Sequence, residues 1–413
     1  MPKTTTTSLC VRCKGYRRLC GLDTCPILER TRSHFRVYHH IKSESVDGST
    51  PPSLLVGEYG YPKVRVMPNI PPAVYGDDAK IYDDPLMWWG RYRLDDIIKF
   101  RSRLLASVVR LDVHDPWKLY EKEINISAVS LEPVDSEARL MKKPKPHLRF
   151  NAFTKPVGLL AEAKEIRVTS TPRVGWLLEK RIHDDVKAAD AVIELYEGGY
   201  DIYTLIHALS GGLLGSFRNR KIVPTRWAIT AVDSILGSYF RKRIRRAPYI
   251  TDTMAFSGEY LENRFLVILT PGPLELEWIE AWHPRSLWGY KSRTPSISVL
   301  TEDARGRYDY MDGGYMAARL PVLEYLSNIN RQATVFIYRE IKPTYYASVG
   351  NWHIRETVKR MLRGKPRKYD NLEDAFKHEL RFFDIPSSIW LKSSRLLREI
   401  QSRRSILDFI SRE

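Results

Sequence analysis

All four cysteines of this 413-residue chain fall within sixteen positions near its start: Cys10, Cys13, Cys20 and Cys25, in the run CVRCKGYRRLCGLDTCP. A short polar stretch with so little apolar content orders only if something replaces the missing core, and four thiols are suited to that task. A Cys-x2-Cys pair makes a knuckle that presents two sulfurs to one ion, and zinc takes four thiolates in a tetrahedron. The second pair is looser, with six residues between Cys13 and Cys20 and four between Cys20 and Cys25. Gly15 and Gly21 stand just after two of the cysteines, where a knuckle needs backbone freedom. The expectation is one structural zinc on Cys10, Cys13, Cys20 and Cys25, with every coordination place filled by protein. Two disulfides or an iron–sulfur cluster are the alternatives. No other cysteine occurs and no signal peptide is evident, which fits a reducing, cytoplasmic setting.

Charge points to the partner class. Lysine and arginine number 66 against 49 acidic residues, a net charge of +17, and a field of that sign recruits polyanions. DNA or another nucleic acid is therefore the expected partner, although part of this charge simply solvates the surface. No apolar run reaches the length of a membrane span, so no membrane association is expected. Oligomeric state is not legible.

The chain reads as α+β. An N-terminal zinc module, residues 1–45, precedes a mixed helical and antiparallel-sheet body and a mostly helical C-terminal region. Residues 46–220 form an N-terminal α+β region, 221–400 a C-terminal α+β region with a candidate ligand cleft, and 401–413 a tail. PPSLLVGEYGYPKVRVMPNIPP reads as short strands with tight turns. Leu94, Ile97, Ile98, Arg101, Leu104, Leu105, Val108 and Val109 keep an i, i+3, i+4 rhythm that predicts one amphipathic helix. Helices are expected at 174–197, 200–214, 225–246 and 315–327. RFLVILT and LELEWIEAW read as a hairpin around Pro271–Pro273, and ATVFIYREIK as a strand.

Six strings in order, CVRCKGYRRLCGLDTCP, PPSLLVGEYGYPKVRVMPNIPP, VPTRWAITAVD, GGYMAARLPVLEYL, RQATVFIYREI and VGNWHIRETV, resemble the archaeal Nre family over nearly the whole chain. The resemblance implies a cytoplasmic protein of DNA-damage repair. In many members it also implies a C-terminal motif that docks onto the sliding clamp, the proliferating cell nuclear antigen homologue. Ile406, Phe409 and Ile410 reproduce the spacing of such a motif, but Arg403 stands where its leading glutamine belongs and Gln401 lies two residues too early.

Other residues suggest chemistry directly. Thr225 is placed to cap a helix, so that Arg226 would offer a fork to a phosphate and Trp227 a face to a base. Gly313 and Gly314 allow close backbone approach at a second helix start, with Arg319 one turn on. Arg331 precedes a strand, and Trp352 and Arg355 open a helix that Asn351 would cap. Gathered together, Arg226, Trp227, Arg319, Arg331, Trp352 and Arg355 would line one nucleic-acid or phosphate cleft. Scattered, they are separate ion pairs and core residues. GxxxxGK[ST] is missing, which argues against a P-loop ATPase. Glu275, Glu277, Glu280, Asp233, Asp309, Asp312, Glu324 and Glu340 are the carboxylates available to hold Mg or Mn in a metal-dependent nuclease, and Glu340 with Lys342 forms an E-x-K. Catalytic residues, and whether the chain is an enzyme, stay open. A DNA-repair factor recruited by the clamp is the leading expectation; a nuclease or nucleotide-processing enzyme, and an RNA-binding protein, are the alternatives.

Overall fold

The computed structural model describes residues 13–19, 25–41, 43–144, 158–284, 286 and 292–410. Cys10 and Cys20 lie outside the described residues, and so do the side chains of Arg403, Ile406, Phe409 and Ile410. The chain divides into two compact units. Unit 1 comprises Met1–Arg18, Asp23–Leu236 and Ala347–Val349; unit 2 comprises Leu19–Leu22, Gly237–Tyr346 and Gly350–Glu413.

Unit 1 is built on a mixed sheet of seven strands, β1 (Ser45–Thr50), β2 (Leu55–Val56), β3 (Lys63–Met67), β4 (Asn69–Ile70), β5 (Leu105–Asp112), β6 (Val134–Leu140) and β7 (Leu159–Val168). The order is β1-β6-β7-β5-β3-β2, with β4 also on β5. Helices α1 (Pro26–His40), α2 (Leu94–Arg103), α3 (Trp176–His183), α4 (Ala188–Glu197) and α5 (Ile202–Ser210) accompany it. Val37 and Ile41, at the end of α1, pack into the same core as Val64, Val66, Leu105 and Ile166 of the sheet.

The single helix expected through Val109 ends at Arg103, and its second half is β5. Leu105, Ala106, Ser107 and Val108 are all buried, because β5 runs parallel to β7 with both faces covered. A strand buried on both faces loses the polar–apolar alternation that would identify it, and its apolar run mimics a helical stripe.

Unit 2 is a three-layer sandwich. Its six-stranded sheet contains β8 (Thr253–Tyr260), β9 (Asn263–Thr270), β10 (Leu276–Trp282), β11 (Ser296–Glu302), β12 (Thr334–Ile341) and β13 (Arg367–Tyr369), in the order β11-β10-β12-β9-β8-β13. The expected β9–β10 hairpin does not form. β12 lies between the two, parallel to β10 and antiparallel to β9, and the hairpin partner of β9 is β8. The signal was misleading because a Pro-Gly-Pro turn only requires the chain to reverse, and does not require the flanking strands to be neighbours.

Alternation along the strands separates the two faces. Leu266, Ile268, Ile279, Phe336 and Tyr338 face helices α9 (Leu372–Glu379), α10 (Ser387–Ser393) and α11 (Arg395–Ile410), counting from α6 (Thr225–Ile244), α7 (Gly313–Asn328) and α8 (Trp352–Leu362). Tyr338 stacks on Phe376 and on Trp390, with centroids 5.6 and 5.3 Å apart. The opposite face meets α7 and α8: Phe256 packs on Tyr325, and Phe265 on His353.

Candidate nucleic-acid interface

In unit 1 the loop between β2 and β3, GEYGYP, turns back on itself, with Gly60 at φ +90° and the Lys63 N–H donating to the Gly60 carbonyl. Here the start of α6 docks. Thr225 does not cap the helix, contrary to expectation: its hydroxyl accepts from Val56 N–H at 2.8 Å and lies 3.3 Å from the Leu54 carbonyl. β2 has few strand partners of its own, so a side-chain hydroxyl completes its hydrogen bonding and fixes the first turn of α6 beside the loop. Trp227 then donates its indole N–H to Glu58 Oε2 at 3.2 Å, while Arg226 Nη1 reaches Glu58 Oε1 at 3.3 Å. The Trp227 ring lies against Tyr61, centroids 5.3 Å apart and planes tilted by 43°.

These rings face water. Trp227 is 45% exposed, Tyr61 48% and Tyr59 81%, which is unusual for side chains whose burial would be worth about 2 kcal/mol each. With one carboxylate holding the indole edge and Arg226 beside it, the arrangement offers flat π-faces next to a cation. Base stacking on single strands uses such a surface. Sequence reasoning named Arg226 and Trp227 as candidates. It missed Tyr59, Tyr61 and Glu58, whose only signal was two tyrosines in a glycine-rich turn.

The remaining candidates belong to unit 2, where the structure does not gather them at one place. Arg319 is buried against Glu302: its Nε and Nη2 donate to the two carboxylate oxygens at 2.6 and 2.9 Å, Arg241 Nη1 lies 2.9 Å from the same carboxylate, and Tyr315 donates its hydroxyl to it. Burial pushes the Glu302 carboxyl up, but the Arg319 hydrogen bonds and the two guanidinium charges outweigh this and leave it below its ordinary value. Gly237 is required beside this network, since a Cβ there would lie 2.1 Å from Arg319 Nη1. Trp352 and Arg355 are buried at the start of α8. Asn351 occupies the N-cap position without a side-chain cap bond. Arg331 is exposed beyond the C-terminal end of α7, the end opposite to Gly313. What approaches Gly313 is Asn351, whose Nδ2 would lie 2.5 Å from a Cβ there; at Gly314 the nearest atom, Asp312 Oδ1, would lie 3.2 Å away.

Between α8 and the sheet lies a buried polar group that the sequence reading did not single out. Arg339, on β12, donates to Asn263 Oδ1 at 2.9 Å and to Glu280 Oε1 at 2.5 Å, and contacts His353 Nε2 at 3.1 Å. A guanidinium can only donate, so His353 Nε2 accepts and its Nδ1–H points to the Gly350 carbonyl, 2.7 Å away. Burial, and then the Arg339 charge, hold His353 well below its ordinary range, in the neutral form. One signal was available: an arginine inside TVFIYREI, every residue of which is buried.

The strand carboxylates are already engaged. Glu277 accepts from the Ser394 hydroxyl and from the N–H groups of Arg395 and Leu396, and so caps α11. Glu340 accepts from the N–H groups of Ile385 and Asp384, and Lys342 pairs with Glu259, so the E-x-K is divided between two structural roles. His283, Glu340 and Asp384 bring ligand atoms within 4.8 Å of one another. Arg264 already lies 3.5 Å from Glu340 and 3.2 Å from Asp384, and a metal would have to displace its guanidinium.

Comparison with known proteins agrees along the chain. Residues 19–289 match the family described as Archaeal Nre, N-terminal, and residues 302–409 match Archaeal Nre, C-terminal. The chain is 37% identical over 406 residues to the DNA repair protein NreB of Archaeoglobus fulgidus, covering 95% of this chain and 98% of the relative. It is 37% identical over 371 residues to the DNA repair protein NreA of the same organism, covering 89% and 91%, and 31% identical over 405 residues to the DNA repair protein NreA of Haloferax volcanii, covering 95% and 96%. No solved structure matches. The matches run through both units, and the chain belongs to the archaeal Nre family.

Proposed function

We propose that this protein is a DNA-repair factor that binds unpaired nucleic acid on the Tyr59, Tyr61, Trp227 and Arg226 platform. The observation that carries the reading is the exposed, tilted Tyr61–Trp227 pair held by Glu58 on a protein of net charge +17. The names of its relatives supply the repair context. Engagement of Glu277 and Glu340 in helix capping and loop anchoring favours this over a nuclease built on those carboxylates. Trp227→Ala with Tyr61→Ala is expected to weaken binding of an oligothymidylate by about 1–3 kcal/mol per lost stacking contact, with little change in Tm. Fluorescence anisotropy checks it; unchanged affinity sinks the platform. Tighter binding of the matching oligoribonucleotide than of DNA would favour the RNA-binding alternative.

Zinc on Cys10, Cys13, Cys20 and Cys25 belongs to the same proposal. Cys13 is buried, and Lys14 and Gly15 follow it at φ +49° and +82°, a reversal that suits a metal knuckle. Cys25 sits at the N-cap of α1, twelve positions after Cys13. Elemental analysis of reductively purified protein is expected to find one zinc per chain, and a value well below that removes the metal from the reading.

Recruitment by the sliding clamp through the C-terminal tail completes it. Leu396, Leu397 and Ile400 of α11 pack on the core of unit 2, whereas Gln401 and Ser402 that follow are exposed.

A further inference from the structure

Helix α6 ends in the run RKRIRR, and the six positions have different fates. Arg241 turns inward, pairing with Glu302 and donating to the carbonyls of Leu274, Asp303 and Ala304. Arg243 lies over the Tyr239 ring at 5.6 Å. Lys242, Arg245 and Arg246 are exposed, Lys242 in the last turn of the helix and Arg245 and Arg246 in the turn that follows it.

A second element brings another cation to this edge. Gln332 ties the segment after α6 to the entry of β12: its Nε2 donates to the carbonyls of Arg245 and Ala247, at 3.1 and 2.7 Å. Its N–H donates to the Pro248 carbonyl, and its own carbonyl accepts from Ile250 N–H, both at 2.9 Å. Arg331, the residue before it, is exposed and donates to the Asn330 carbonyl. Tyr249, bridged to Gln332, is 51% exposed.

Among the described residues no carboxylate pairs with Lys242, Arg245, Arg246 or Arg331, whereas Asp252, a little further along, is matched by Lys368 at 2.9 Å. The helix dipole favours cations in a last turn. That accounts for Lys242 but not for Arg331, which arrives from a different element. Four unmatched cations on one edge repel one another, and a polyanion removes the repulsion. We propose that this edge of unit 2 is a second binding site, for the phosphodiester backbone of DNA, which it grips without reading sequence. The inference rests on the reading of the protein as a DNA binder. It assigns phosphate contacts to Lys242, Arg245, Arg246 and Arg331, with bidentate forks from the three arginines. The carbonyl end of α6 repels phosphate, so side chains rather than backbone amides make these contacts.

The test is the salt dependence of affinity for a short mixed-sequence duplex and for an oligothymidylate, measured by anisotropy on the full chain. Each phosphate contact removed lowers the slope of log K against log salt by roughly 0.9 for duplex. Arg245→Gln, Arg246→Gln and Arg331→Gln together are therefore expected to flatten the duplex slope by roughly 2–3. The matching lysine variant keeps the slope, because it keeps the charge. Arg331→Gln alone flattens it by roughly 1 and serves as the check should the triple variant lose its circular dichroism. A duplex slope unchanged in the triple and single variants overturns the inference. Loss of single-strand affinity in Trp227→Ala with an unaltered salt slope isolates the platform from this edge. A wild-type protein that binds neither DNA ends both readings.

Discussion

Glu302→Gln is expected to cost about 3–5 kcal/mol of stability, among the largest effects of any single substitution in the chain. The carboxylate is wholly buried, and it is the counter-charge for Arg319 and Arg241, whose side chains are 5% and 13% exposed. Neutralising it leaves two guanidiniums in low dielectric, a situation worse than having no network at all. The double replacement Glu302→Gln with Arg319→Met should therefore be more stable than Glu302→Gln alone, which distinguishes an uncompensated charge from simple loss of packing. The pH dependence has a definite sign. A carboxyl held below its ordinary value of 4.5 in the folded state stabilises fully above that value, and the stabilisation is lost as pH falls through the lower, folded value. The variant should accordingly show a shallower acid limb in urea-melt stability measured below about pH 4.5. Equal acid limbs in wild type and variant would count against the assignment.

The second large effect concerns the tail. Deleting residues 403–413, or changing Phe409→Ala, is expected to abolish co-elution with the sliding clamp and leave thermal stability nearly unchanged. Ile406, Phe409 and Ile410 follow one another at i, i+3, i+4 on α11, which is helical to Ile410. Amphipathic docking of this kind depends on a few anchors, so removing the aromatic one removes most of the affinity. Arg403→Gln, restoring the glutamine at its usual place, should tighten the complex. If truncation lowers Tm sharply while clamp binding persists, the tail is part of the unit 2 core and the docking site lies elsewhere.

How far these sites were legible depends on how far apart in sequence their parts lie. Periodicity located α6 and β12 closely, because a helix or a strand writes its pattern within a few residues. The half of the predicted 94–109 helix that became β5 failed for a tertiary reason: its two faces are covered by different core clusters, Leu105 in the one that includes Val37 and Ile41, and Ala106 and Val108 in the one that includes Met67. Arg226 and Trp227 could be named from VPTRW, yet their partner Glu58 lies 168 residues upstream and no local pattern announces it. Arg319 was visible as a cation but not as a buried one, since its carboxylate comes from β11. Arg339 shows the converse. A charge that follows the apolar run VFIY in a strand demands a buried partner, and that demand was present in the string itself.

The central position of β12 has a consequence for how unit 2 is made. During synthesis β8 and β9 can pair at once, and so can β10 and β11, each pair being close in sequence. The two hairpins then wait, each with an open inner edge, until β12 arrives after the whole of α7. Closing the sheet is therefore a long-range step, since the inner edges of β9 and β10 gain their common partner only with β12. The strand that carries Arg339 is thus also the keystone that joins the two hairpins, and a chain cut before it leaves both of their inner edges unpaired.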